Sequence, residues 1–444
     1  MTQSQDTIFA LSTGRGIAAV AVVRVSGPQA FNACRIMAGG ELPAPRVATL
    51  RCLRDESGRL LDQALVLTFP EPDSFTGENI VEFHVHGGSA VVSGVLEALG
   101  NSAGLRPAAA GEFTRRAFLN GKLDLTSVEG LGDLLMAETA LQRDQALRQA
   151  GGHLRDLYDG WRQRLIELAA LITAEIDFVD EEDIPADLPI RIRPLLSELI
   201  SDMEGHLATS AWGERVRDGV TVVIAGAPNA GKSSLLNALA GRDAAIVSEI
   251  AGTTRDMLEV HLDLDGIPAV LVDTAGLRAT SDAIEQEGVR RALTRIEDAD
   301  LVLWLSEGGG EPDFDGGRIP EETILRVATK SDLYERSDLD MRLWIATSAV
   351  TGAGLDALVE AVRERLMVAR PEGESTVVTR ERHRVAVFRA IRALQQAQAG
   401  DVVQSPELVA DDVMTAVRSM EHLTGRVDVE DLLDVVFASF CIGK

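Results

Sequence analysis

At 444 residues, 45% of them hydrophobic and 25% charged, the chain is long enough for about two to four domains of ordinary soluble character. No apolar run reaches the ~18 residues of a membrane span, and the opening MTQSQDTIFALSTGRG lacks the basic and apolar stretches of a secretory leader, so neither insertion nor export is expected. A formal net charge of −26 repels phosphate backbones at long range, which leaves any nucleic acid to a partner or a local patch.

The three cysteines, Cys34, Cys52 and Cys441, form neither a disulfide framework nor a zinc-like spacing, which suits a reducing, cytoplasmic location. Residues 1–121 read as a mixed α/β domain with strands at IAAVAVVRV (17–25), ALVLTF (64–69) and NIVEFHVHG (79–87). Residues 122–215 carry helical patterns, VEGLGDLLMAETALQRDQAL and LYDGWRQRLIELAALITAEI, interrupted by an acidic loop at DFVDEEDIP (177–185). From 216 to 372 strands alternate with helices, the signature of a mostly parallel sheet. Residues 373–444 return to helical patterns. Ser405 and Pro406 make an N-cap and first turn, and Gly425 can close that helix. A last helix would place Val429, Leu432, Leu433, Val436, Phe437 and Phe440 on one face. The two helical blocks are expected to pack together, with the α/β block inserted between them.

The strongest signal is GAPNAGKSS, in which Gly226 to Ser233 follow the phosphate-loop pattern after an apolar strand, VTVVIA (220–225), and before a helix. Backbone N–H groups of Asn229, Ala230, Gly231, Lys232, Ser233 and Ser234 can surround phosphates at a helix N-terminus. Lys232 would bridge the β- and γ-phosphates, and the Ser233 hydroxyl would ligate magnesium. AGTTRD (251–256) supplies Thr254 as a second magnesium hydroxyl. DTAG (273–276) brings Asp273, Thr274, Ala275 and Gly276, the carboxylate facing the metal and the glycine sensing the γ-phosphate. In TKSD (329–332), with Thr329 and Lys330, the Asp332 carboxylate accepts from guanine N1–H and the 2-amino group together; adenine lacks the 2-amino group and has only an acceptor at N1. Ser348 and Ala349 of TSA (347–349) follow, the Ala349 N–H reaching guanine O6. Five such elements in order predict a guanine-nucleotide hydrolase.

Two departures bear on mechanism. The residue after DTAG is Leu277, where Ras-like enzymes use glutamine to position water, so Glu285 or Glu287 is expected to act instead. Thr329 stands where asparagine is usual, which predicts modestly weaker binding with guanine preference kept. Asn229 can ligate a monovalent cation beside the phosphates, its shell completed by carbonyls from SEIAGT (248–253); Arg255, supplied in cis, is the rival for that charge.

Taken with GRG (14–16), RVSG (24–27), SFTGE (74–78), HGG (86–88), GEF (111–113), AFLNGKLDL (117–125) and the terminal CIGK, these motifs resemble the MnmE (TrmE) family of tRNA-modifying GTPases along essentially the whole chain. The resemblance implies a multi-domain α/β plus α protein: an N-terminal α/β domain that dimerises and binds a tetrahydrofolate derivative (5-formyl or methylene form), a discontinuous helical domain, and an inserted Ras-like GTPase domain. It implies GTP as substrate, Mg2+ at Ser233 and Thr254, and K+ held by Asn229, Ser248, Ile250 and Thr253. Its nucleotide contacts add Glu249, Ala251 and Gly252, and its general acid/base maps to Glu285. Arg24, Glu82, Lys122 and Lys444 map to the folate contacts. The implied state is a homodimer that joins a flavin (FAD) partner, MnmG, in a heterotetramer or larger complex. Together they would add an aminomethyl or carboxymethylaminomethyl group at carbon 5 of the wobble uridine, with tRNA bound largely through the partner. The alternative is a regulatory GTPase switch in ribosome assembly, which needs no folate site.

Smaller points follow. Prenylation of Cys441 is not expected, because the final residue is Lys444 and the preceding EDLLDVVFASF is acidic. Cys441 is either reactive or simply packed. Glu82, His84 and His86 share one strand face, as metal ligands sometimes do. GRG is either a tight turn or a close backbone approach to a ligand.

Overall fold

The computed structural model describes residues 6–14, 16–177, 188–241, 245–246, 259–273, 296–309, 320–334, 343–366, 379–401 and 404–426, together with 433, 436–437, 440 and 443. The chain divides into two compact units: residues 1–132, 149–185 and 400–444, and residues 133–148 and 186–399. Among the described residues no helix is long and apolar enough to cross a membrane.

The first unit holds a six-stranded sheet of β1 (Thr7–Leu11), β2 (Ala18–Ser26), β3 (Thr49–Arg54), β4 (Leu60–Phe69), β5 (Ile80–Gly87) and β6 (Leu105–Pro107), in the order β3-β4-β5-β2-β1-β6. Strand alternation sorts the faces. Val81, Phe83 and Val85 of β5 are buried with Val23, Val25, Val66 and Leu99 in one core, while Glu82, His84 and His86 point to the opposite face. The helix Ala30–Ala38 adds Ala33, Cys34 and Met37 to that core, and Ser89–Asn101 adds Val95 and Leu99. In the same unit the helix Pro406–Thr424 starts at Pro406 and ends at Gly425 in the left-handed region (φ 79°). It packs along the helix His153–Asp177, with Arg162 on Glu421 at 2.8 Å. Leu433, Phe437 and Phe440 are buried against Leu125 and Val128; Val429 and Leu432 lie outside the described residues.

The second unit holds a seven-stranded sheet: β7 (Val220–Gly226), β8 (Ala245–Ile246), β9 (Glu259–Leu264), β10 (Ile267–Asp273), β11 (Leu301–Glu307), β12 (Ile324–Thr329) and β13 (Trp344–Ala346). The order is β13-β12-β11-β7-β10-β9-β8. The run from β13 to β10 is parallel and only the β9 hairpin is reversed, as right-handed strand–helix–strand units require. Valine- and leucine-rich strands such as VTVVIAG bury both faces here, the pattern of a covered parallel sheet. Chain-distant arginines meet at Asp133: its carboxylate accepts from Arg217, two residues before Gly219, and from Arg380, one residue before the helix Glu381–Ala399. The approaches to and from the inserted sheet are thereby tied to one carboxylate.

Candidate functional site

The phosphate loop runs from β7 into the helix Lys232–Ala240. β7 is central in the sheet, so its C-terminal end opens where the strand order reverses, the place where ligands of doubly wound sheets sit. Gly226 has φ 144°, and a Cβ there would collide with the Leu305 carbonyl oxygen, so only glycine lets the loop leave the sheet. Asn229 takes φ 65°, a left-handed turn that helps curl the loop. Lys232 is 9% exposed, and its ammonium donates to the carbonyls of Gly226 (2.8 Å) and Ala227 (2.9 Å), folding it back over the loop.

The Ser233 hydroxyl donates to Asp273 Oδ2 at 2.9 Å, which places the two expected magnesium-side groups together at the ends of β7 and β10. A hydroxyl and a carboxylate are hard oxygen donors of the kind magnesium takes, so this pair fits the ion. At the far side of the loop, Thr329 Oγ1 donates to the Ala230 carbonyl at 2.7 Å, and both residues are buried. Thr329 therefore fastens the base-side loop to the phosphate loop. Ser348 Oγ donates to Asp332 Oδ1 at 2.6 Å, fixing one oxygen of the carboxylate expected to read guanine. Lys330, at φ 57°, pairs with Glu307 at 2.6 Å. Ala349 follows in the turn after β13, and Ser234 lies in the first turn of the helix. Ser248, Glu249, Ile250, Ala251, Gly252, Thr253, Thr254, Thr274, Ala275, Gly276 and Glu285 lie outside the described residues, as do Glu287 and Arg255.

A second cluster forms in the first unit. Arg24 on β2 faces Glu82 on β5 in register, and the guanidinium meets Glu82 Oε1 at 2.8 Å. Phe75 and Phe113 hold the guanidinium at 5.6 and 5.8 Å from their ring centres. Lys122 donates to the Pro72 carbonyl at 2.9 Å, and its stem lies against Gly77. The SFTGE loop thus touches Arg24 through Phe75 and Lys122 through Gly77. Lys444 and Cys441 lie outside the described residues, but Gly443 is held: its carbonyl accepts from Ser12 Oγ at 2.9 Å. At φ 100°, and with the Leu11 carbonyl occupying the space a Cβ would need, Gly443 is a position only glycine fills. Ser12 directly follows β1, whose Ala10 pairs with Arg24. The chain terminus is therefore brought to the strand pair that carries Arg24.

The shared face of Glu82, His84 and His86 is not arranged for a metal. Glu82 is taken by Arg24 and by His84 Nε2 (3.2 Å), and His86 turns to Asp62 (2.8 Å). No group of three or more metal-binding side chains occurs among the described residues. Of GRG, Gly14 and Gly16 have no atom within 4 Å of an added Cβ, and Arg15 lies outside the described residues.

Ser12, Phe75 and Phe113 were not visible as site residues, because each acts through a partner distant in sequence. Composition holds one further signal. Of the 43 basic residues only four are lysines, Lys122, Lys232, Lys330 and Lys444. Elsewhere the chain uses arginine, so each lysine falls in a motif singled out for ligand contact.

Two family profiles match the chain: the MnmE helical domain over residues 125–441, and the GTP-binding protein TrmE N-terminus over residues 7–122. The chain is 51% identical to the tRNA modification GTPase MnmE of Rhodospirillum rubrum, covering 99% of both chains. It is 52% identical to that of Parvibaculum lavamentivorans, over 99% of this chain and 100% of the other. With that of Azorhizobium caulinodans it shares 52% identity over 100% of both. A phosphate loop with the Ser233–Asp273 pair beside it and an Asp332 carboxylate held by Ser348, in a chain matched end to end by these relatives, makes this protein a member of the MnmE (TrmE) family of tRNA modification GTPases.

Proposed function

We propose that this GTPase works with a flavin-dependent MnmG partner in the cytoplasm to place an aminomethyl or carboxymethylaminomethyl group on carbon 5 of the wobble uridine. The bound folate supplies the one-carbon unit. The observation that carries this reading is the convergence of Arg24, Glu82, Lys122 and Gly443 around Phe75, Phe113 and Ser12. A pure nucleotide switch has no use for it.

In this pocket Glu82 offers carboxylate oxygens to a pterin N–H and amino group, as Asp332 does to guanine. Arg24, beside the Phe75 and Phe113 rings, orients that carboxylate through its ion pair. Lys122 gives a cation for a folate carboxylate or the pterin carbonyl oxygen. Lys444 follows Gly443 directly, so its ammonium starts from a fixed point. In the nucleotide site Lys232 neutralises phosphate charge, Ser233 with Asp273 would hold Mg2+, and Asn229 would hold K+ with Ser248, Ile250 and Thr253. Glu285 is proposed to position and deprotonate the attacking water, since Leu277 has no polar group. Homodimerisation through the N-terminal domain and joining of GTPase domains in potassium complete the proposed cycle.

The four lysines give a direct test. Amine acylation of the full chain, read by mass spectrometry, should spare Lys232 and Lys330 when GDP and Mg2+ are present, and Lys122 and Lys444 when 5-formyltetrahydrofolate is present. Unchanged labelling of Lys122 and Lys444 at saturating folate would remove the one-carbon reading and favour a switch in ribosome assembly. Equal hydrolysis rates in sodium and potassium would remove the cation.

A further inference from the structure

The helix Glu381–Ala399 has a composition unlike the rest of the chain. After Glu381 it contains no acidic residue, yet it carries Arg382, Arg384, Arg389 and Arg392, in a protein of net charge −26. Val387, Ala390, Ile391, Leu394 and Ala397 bury one face, and Gln395 and Gln398 bond across to Glu204 and Ser197 of the helix Leu188–Ala208. The opposite stripe is exposed: Arg384, Phe388, Arg389, Arg392 and Gln396, spanning ~18 Å of helix axis. Arg384 is paired with Glu214, but Arg389 and Arg392 have no ion pair among the described residues. Phe388, 52% exposed, is the one aromatic among the large exposed hydrophobic side chains described. Phe388 stands four positions from Arg384 on one side and from Arg392 on the other, so all three share one stripe of the helix.

Solubility does not account for this stripe, because the acidic excess already keeps the surface charged. An exposed aromatic ring with the unpaired Arg389 and Arg392 on the same stripe is what an RNA strand engages: phosphates on the cations, an unstacked base on the ring. We propose that this stripe is an RNA-contacting surface by which the GTPase itself grips the tRNA during modification. The inference rests on the family's action on tRNA and locates a local basic patch within an acidic chain.

The test uses the full-length, GDP-bound chain and an unmodified tRNA transcript, with affinity measured at about 50 and 200 mM salt. The Arg389→Gln/Arg392→Gln double variant should bind ~10-fold more weakly at the lower salt, with a log K against log salt slope shallower by roughly 1.5. Phe388→Ala should weaken binding several-fold without changing the slope. Arg418→Gln, at an exposed arginine paired with Asp411 on the helix Pro406–Thr424, is the control and should match wild type. GTP hydrolysis should be unchanged in all of them, which shows that they fold. The proposal is overturned by no wild-type binding at the lower salt, by equal loss in Arg418→Gln, or by unaltered affinity and slope in the stripe variants. It is also overturned if a polyglutamate peptide competes at concentrations equal in charge to the tRNA, which would assign the stripe to an acidic protein. Wobble-uridine analysis in cells lacking the protein, complemented with wild type, tests the modification reading separately.

Discussion

The buried hydroxyl of Thr329 permits a sharp test of how the nucleotide site is assembled. Thr329→Val keeps the shape of the side chain and removes only the donor that now reaches the Ala230 carbonyl at 2.7 Å. Thr329 and Ala230 are each 4% exposed, so water cannot readily replace the bond, and a buried acceptor left without a donor costs about 1–3 kcal/mol. At about 1.4 kcal/mol per tenfold, that is roughly 5- to 150-fold in the population of the loop conformation that receives phosphates. GDP and GTP should both bind more weakly by a factor in that range. Selection of guanine over adenine should persist, because Asp332 is held independently by Ser348. Thr329→Ser should stay near wild type, since it keeps the hydroxyl. The assay is fluorescence titration with labelled GDP, competed by ATP. Wild-type affinity in Thr329→Val would refute the tether, and so would a collapse of guanine preference with unchanged phosphate affinity.

Three further outcomes follow from other contacts. Asp133→Ala strips the shared partner from Arg217 and Arg380, whose side chains are only 26% and 22% exposed, and should destabilise the second unit by about 3 kcal/mol in denaturant titration. A loss below about 0.5 kcal/mol would show that other partners or solvent satisfy both arginines. Gly443→Ala should drive a methyl into the Leu11 carbonyl and weaken 5-formyltetrahydrofolate binding while leaving GDP affinity intact; equal folate affinity would detach the tail from the pocket. Cys34 is buried, and burial pushes its thiol up to about 11, so at pH 8 only about one molecule in a thousand carries the thiolate. Iodoacetamide at pH 8 should modify the half-buried Cys52 well before Cys34, with Cys34 reacting only after unfolding or as the pH rises toward 11. Equal rates in the folded chain would contradict this.

The nucleotide site was legible in the amino-acid sequence because its chemistry is local. A glycine-rich turn between one apolar strand and one helix sets the backbone N–H groups by itself, and DTAG, TKSD and TSA each sit at a strand end that alternation reveals. The long strands were legible for the same reason: ALVLTF lies within β4, and NIVEFHVHG overlaps β5. The short strands β1 and β6 were not, since five and three residues carry too little periodicity to stand out from loops. Nor does spacing reveal that Thr329 bonds the phosphate loop.

The proposed one-carbon cluster divides along the same line. Arg24, Glu82 and Lys122 came from family resemblance, and residue type alone names them only as charges. Their environment belongs to the tertiary fold: a guanidinium between Phe75 and Phe113, Glu82 shared with His84, and a terminus fastened by Ser12 to Gly443 across 431 positions of chain. Side-chain chemistry and short-range backbone geometry are written in neighbouring residues, so the sequence alone determined the phosphate loop. Which distant charges meet depends on how sheets and helices pack, and only the tertiary structure decided that.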